Sequence, residues 1–233
     1  MKKKVVFTGG NGRFAEAIKK IKNPYKVFYP NKKELNILSE KTIENYLQKI
    51  RPKILVHMAG LSRPMKQHEE KIHRSIELNI IGTANIVKVC SRMNIKVIYL
   101  SSGYVYQGKR GNYKETDAIL PWNNYGWSKL GAESAVQMYK NSLIIRACMT
   151  EKPFVHKSAF ANVKSNFIFH EQIAKYLIKL INKKGIINVG GKSQSIFKFA
   201  KKYNKKVKKI KSRGQLPLKM DMNLGKLKKA IKL

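Results

Sequence analysis

The stretch KVVFTGGNGRFA, residues 4–15, decides the fold of this 233-residue chain. Lys4–Thr8 is a β-branched run that stops at Gly9-Gly10-Asn11-Gly12, and Phe14, Ala17, Ile18 and Ile21 then recur at helical spacing. A strand, a glycine turn and a helix in that order give the context a dinucleotide fingerprint requires, with Ala15 at its third small position. Glycines let the backbone approach a pyrophosphate, and free N–H groups at a helix start favour an anion. The turn Gly9, Gly10, Asn11, Gly12, Arg13 and Phe14 is therefore expected to hold a cofactor.

Working outward, short apolar runs alternate with amphipathic stretches. Lys26–Tyr29, Ile54–Met58, Lys96–Ser101 and Leu143–Arg146 read as strands; Glu40–Ile50, His73–Met93 and Tyr125–Tyr139 read as helices. This alternation predicts an α/β fold, a Rossmann-type doubly wound parallel sheet with sites at the carboxyl ends of its strands. After Arg146 the regularity weakens. Gln172–Ile181 and Ser195–Tyr203 read as helices and Ile186–Val189 as a strand. The expected organisation is a dinucleotide-binding Rossmann domain over 1–150 and a small substrate-binding C-terminal lobe over 151–233, interleaved with the sheet.

Three further motifs end strands or open helices. Val56-His57-Met58-Ala59-Gly60 closes the third strand; its small residues would let a cofactor lie against the backbone, and His57 reads as a hydrogen-bonded structural residue. Leu100-Ser101-Ser102 closes the fourth strand and places the Ser102 hydroxyl where a substrate carbonyl could meet it. Tyr125-Gly126-Trp127-Ser128-Lys129 sets a tyrosine and a lysine four apart, on one helix face. An ammonium beside a phenol is expected to lower its pKa from about 10 and fit it for proton transfer. After strand two the chain reads Tyr29-Pro30-Asn31-Lys32-Lys33, with no acid until Glu34. Cations there, with Arg13, favour the 2′-phosphate of NADP(H); NAD(H) stays as the alternative.

Composition bounds the partners. Lys and Arg total 49 against 13 Asp and Glu, a net charge of +36. The lysines are spread along the chain and no aromatic ladder interleaves with them, so the charge reads as a solvated surface suited to anionic small molecules, with no nucleic-acid groove. No apolar run approaches 18 residues, so no membrane partner is expected. Cys90 and Cys148 lack a CxxC pair and metal-ligand spacing, and fit reduced thiols of a cytoplasmic protein with no metal.

Taken in order, the glycine turn, Ser102 and Tyr125/Lys129 resemble the extended short-chain dehydrogenase/reductase family. The segments SSGYVYQG (101–108) and YKETDAILPWNNYGWSKLGAE (113–133) resemble its sugar-nucleotide branch, closest to the dTDP-4-dehydrorhamnose reductase type. Leu35-Asn36-Ile37, Gly185–Gly191 and Asp221–Leu227 are similar to further elements of that group, so the resemblance covers nearly the whole chain. It implies that Ser102 orients a keto group, Tyr125 donates the proton, and Lys129 holds the nicotinamide ribose and tunes Tyr125. It also implies that Asn11, Gly12 and Arg13 meet the phosphates, that Asn36 and Ile37 lie by the adenine and Ala59, Gly60 and Leu61 along the cofactor, and that Asn79 orders the active-site backbone. Dehydratases of the branch carry an Asp-Glu pair where this chain has Gly103-Tyr104. The implied activity is NAD(P)H-dependent reduction of a nucleotide-linked 4-keto-6-deoxy sugar. An NAD-dependent sugar-nucleotide epimerase and a noncatalytic nucleotide-binding regulatory subunit are the alternatives, and a homodimer is one allowed assembly.

Overall fold

The computed structural model describes residues 2–232. Six strands form one parallel sheet: β1 (Lys4–Thr8), β2 (Lys26–Phe28), β3 (Ile54–His57), β4 (Lys96–Ser102), β5 (Ser142–Ala147) and β10 (Gly185–Val189), in the order β10-β5-β4-β3-β1-β2. Strand order reverses between β1 and β3, and ligands of open α/β sheets bind in the crevice outside the carboxyl ends at such a point.

Alternation along each strand builds two cores. Val5, Phe7, Ile54, Val56, Ile98, Leu100, Leu143, Ile145, Ile187 and Val189 face one side, where they meet α1 (Arg13–Lys19), α7 (His170–Leu180) and α9 (Gly225–Ile231). Val6, Leu55, Val97, Tyr99 and Ile144 face the other, against α2 (Glu40–Ile50), α5 (Gly82–Arg92) and α6 (Asn124–Gln137). Each fully buried aliphatic side chain contributes about 1.5–3 kcal/mol, so this double layer dominates stability.

Residues 151–232 divide between sheet and lobe. Gly185–Val189 pairs in parallel with β5, and α7 and α9 pack on the sheet core. The rest forms a separate small core of Phe154, Val163, Ile196, Phe199, Val207 and Met220. Around it lie the short strands β6 (Met149–Thr150), β7 (Ser158–Phe160), β8 (Lys164–Ser165), β9 (Ile168–Phe169), β11 (Gln194–Ser195) and β12 (Lys208–Ile210), with helix α8 (Ile196–Lys201). Apolar runs this short carry no readable period.

The helix expected over His73–Met93 is interrupted. It runs as α4 (Ile72–Ser75), a π-helical turn over Ile76–Ile81, and then α5; a further helix, α3 (Lys66–Glu70), precedes it. Apolar spacing does not report a local shift of hydrogen-bond partner. Here the Thr83 hydroxyl donates to the Asn79 carbonyl at 2.6 Å, and π turns often mark functional positions.

Candidate functional site

A cleft of about 1080 Å3 runs along the carboxyl ends of the strands and under the small lobe. One end is the glycine turn. Gly9 has φ of +73°, and a Cβ there would sit 2.9 Å from the Ala59 nitrogen, so the approach of β1 to β3 requires glycine. Gly9, Gly10, Asn11, Gly12, Arg13, Phe14, Asn36, Ile37, Ala59 and Gly60 all line the cleft. Leu61 does not. Its backbone is pinned behind the wall, where its N–H donates to Asn79 Oδ1 at 2.7 Å and its carbonyl accepts from Asn79 Nδ2 at 2.9 Å.

The exit of β2 shows which dinucleotide suits this end. Its cleft residues are Pro30, Asn31, Lys32, Leu35, Asn36 and Ile37, with no carboxylate among them. Glu34 is turned back to accept from the Asn31 N–H at 2.8 Å. Lys32 and Arg13 therefore offer cations where a ribose-binding acid would otherwise stand, which fits a 2′-phosphate. Lys33 is not on the wall.

At the floor, Ser102, Tyr125 and Lys129 come together from the end of β4 and the first turns of α6. The Asn123 side chain caps α6 by accepting from Gly126 N–H at 2.8 Å. A Cβ on Gly126 would lie 2.4 Å from the Tyr104 carbonyl oxygen, so only glycine lets α6 come this close to the β4 turn. Asn79 Nδ2 donates to Ser128 Oγ at 2.8 Å and ties α6 to the π turn and to Leu61. The Tyr125 ring meets His68 and Tyr104 edge-on, with centroids 5.0 and 5.7 Å away.

The electrostatics depart from the expectation of a phenol acidified by its lysine. Burial raises the Tyr125 pKa above its ordinary value, with only partial relief from a hydrogen bond to Ser102 and from the Arg63 charge. Lys129 turns to the strand instead: its Nζ donates to the Leu100 carbonyl at 2.7 Å and stands over the Tyr99 ring, 4.3 Å from the centroid. Burial pushes Lys129 down to about 7, against the pull of Glu133 one turn along the helix. His57 is structural. It is buried between Thr8 Oγ1 at 2.8 Å and Thr83 Oγ1 at 3.1 Å, and burial pushes it down to about 3.

The depressed Lys129 has a measurable consequence. Between pH 7 and about 10.4 the folded amine is neutral while the unfolded one is charged, so the unfolded chain binds more protons and stability rises with pH. Relative to Lys129→Met, the wild-type chain should gain roughly 1–2 kcal/mol of stability between pH 7 and 9, less than one full pKa unit per pH unit because the amine borders the open cleft. Thermal melts of both proteins across that range test this; parallel curves would refute it.

Among the wall residues that escaped the sequence reading are Arg63, Glu151 and His156. Arg63 follows Gly60 by three residues, a signal that a search for cations beyond strand ends would have met. The others lie in the irregular stretch after β5. The lysine excess does not build the cleft: among the described residues its cations are Arg13, Lys32, Arg63 and Lys129, and no Lys or Arg after residue 150 lines it. Lysines there stand outward because the lobe core is apolar.

The model of the family described as RmlD substrate binding domain matches residues 3–155. Among curated relatives, methionine adenosyltransferase 2 subunit beta of Pongo abelii is 27% identical over 143 residues, 58% of this chain and 42% of the relative. A dTDP-4-dehydrorhamnose reductase of Aggregatibacter actinomycetemcomitans is 24% identical over 191 residues, 80% of this chain and 60% of the relative. The matches thus span about half the length of these relatives. The crystal structure of dTDP-4-dehydrorhamnose reductase from Bacillus anthracis str. Ames in complex with NADP superposes with a TM-score of 0.86 at 24% identity, covering 98% of this chain and 91% of that one. At that identity the fold is what is shared. Among the described residues, no helix is long and apolar enough to cross a membrane.

Proposed function

Because the chain belongs to the RmlD substrate binding domain family, we propose that it reduces a nucleotide-linked 4-keto-6-deoxy sugar with NADPH. One observation carries this reading: Ser102, Tyr125 and Lys129 converge on the floor of one cleft whose other end offers a glycine turn, Arg13 and Lys32 and no competing acid at the β2 exit. Ser102 and the Tyr125 phenol hold the keto oxygen. Tyr125 keeps its proton at neutral pH because burial raises its pKa, and reduction needs that protonated form. A dinucleotide held by the glycine turn, Arg13 and Lys32 would supply the hydride from its reduced nicotinamide. The Tyr125 proton passes to the oxygen, completing the alcohol and leaving a phenolate that Ser102 and, where protonated, Lys129 stabilise. Gly103 and Tyr104 follow Ser102, so this turn offers no carboxylate for dehydration.

A second reading, a noncatalytic nucleotide-binding subunit, is favoured by the match to methionine adenosyltransferase 2 subunit beta. Incubation with a panel of nucleotide 4-keto-6-deoxy sugars separates the readings. Loss of reduced-nicotinamide absorbance supports reduction, isomerised sugar without net cofactor consumption makes the protein an epimerase, and NADPH binding without turnover on any substrate supports the regulatory subunit. NADPH should bind more tightly than NADH, and Arg13→Ala should narrow that gap. Equal affinities by calorimetry would remove the NADP preference.

A further inference from the structure

Among the described residues, Glu151 is the one carboxylate lining the cleft. It follows β6 on the way into the small lobe, and it gathers two arginines from elsewhere in the chain. Glu151 Oε1 forms an ion pair with Arg13 Nη1 at 3.0 Å and accepts from Arg63 Nη1 at 2.9 Å; Oε2 accepts from the same Arg63 nitrogen at 3.0 Å. Arg13 opens α1 beside the glycine turn, and Arg63 follows β3. The same two arginines, with Pro64, Met65 and His156, also wall a side pocket that adjoins the cleft.

In a chain of net charge +36, two guanidinium groups meeting at one point repel each other, and the carboxylate between them offsets that. A phosphoryl group offers more charge and more acceptor oxygens to the same guanidinium forks than a carboxylate does. The two arginines are not held alike. The Arg13 side chain is 54% exposed and makes one contact with Glu151; Arg63 is 32% exposed and makes two.

We propose that Glu151 is a placeholder for a phosphoryl group of the bound dinucleotide. On binding, Arg13 leaves Glu151 for the phosphate, while Arg63 keeps the carboxylate and draws it off Arg13. Glu151 therefore weakens cofactor binding by competition, and Arg63 strengthens it by restraining Glu151 rather than by touching the ligand. The cofactor stays exchangeable, as a reductase that consumes it each turnover requires. This rests on the cleft binding a dinucleotide.

The test is calorimetric titration of NADPH and NADH into wild-type protein, Glu151→Gln, Arg63→Gln and the double variant, with melting temperatures for each. Glu151→Gln is expected to bind NADPH about 5–10-fold more tightly, the scale of one partly exposed charge interaction. Arg63→Gln is expected to bind several-fold more weakly, and the double variant to match Glu151→Gln. An effect on NADPH alone assigns the phosphoryl group to the 2′-phosphate, and an equal effect on NADH assigns it to the diphosphate; both support the placeholder. Unchanged or weaker binding in Glu151→Gln overturns it, as does a loss from Arg63→Gln that persists in the double variant. Glu151→Ala must repeat the Glu151→Gln result. A wild-type protein that binds neither nucleotide ends the dinucleotide reading itself, whereas normal wild-type binding with an inert Glu151→Gln ends only the placeholder.

Discussion

Tyr125→Phe is expected to lower turnover on the keto sugar by roughly 10²–10⁴-fold, the scale of losing one positioned general acid. The change removes one oxygen and leaves the ring against His68 and Tyr104, so the floor of the cleft keeps its shape. NADPH affinity should barely move, because the phosphate end of the cleft is built from other segments. The pH profile carries the same information. With the Tyr125 pKa raised by burial, the proton-donating form persists through neutral pH, and reduction should decline only on the alkaline side. A mutant that turns over like the wild-type protein would take Tyr125 out of the mechanism.

Arg146→Met should destabilise the fold by about 3–5 kcal/mol, because it strands a buried carboxylate. The Arg146 side chain is 2% exposed and its partner Glu133 is fully buried. Arg146 Nη2 donates to Glu133 Oε2 at 2.8 Å and Nε to Oε1 at 3.1 Å, while Nη1 donates to the Tyr106 hydroxyl at 2.8 Å. Tyr106 in turn donates to Asn188 Oδ1 at 2.8 Å, and Asn188 Nδ2 to the Tyr113 carbonyl at 2.8 Å. The network thus joins α6, which carries Tyr125 and Lys129, to β5, β10 and the loop before α6. For a chain of this size the loss corresponds to a melting temperature lower by roughly 10 °C. Replacing both ions, as Glu133→Leu with Arg146→Met, should recover most of it, since apolar pairs of similar volume often substitute at little cost. A single mutant that melts with the wild-type protein would show that the pair contributes nothing net.

The sheet was legible because its signal is local. Lys4–Thr8, Ile54–His57 and Lys96–Ser102 are buried strands, and a buried parallel strand shows as an unbroken apolar run. The helix over Glu40–Ile50 was legible to the residue: Ser39 caps its start, and Arg51, left-handed at φ of +52° before Pro52, ends it. The glycine turn and the Tyr125/Lys129 spacing were equally local, each contained in a single strand–turn–helix or helix face.

The amino-acid sequence by itself determined these elements, their order, and the residue types at the strand ends. Only the tertiary structure decided that burial would outweigh the neighbouring ammonium at Tyr125, that Asn79 would hold Leu61 away from the cleft, and that Glu151 would meet arginines 88 and 138 positions earlier in the chain. Spacing along a strand or helix fixes which side chains share a face, because the period is set within a few residues. Desolvation and ion pairing depend on what the rest of the chain brings within a few ångströms, and no local pattern encodes that.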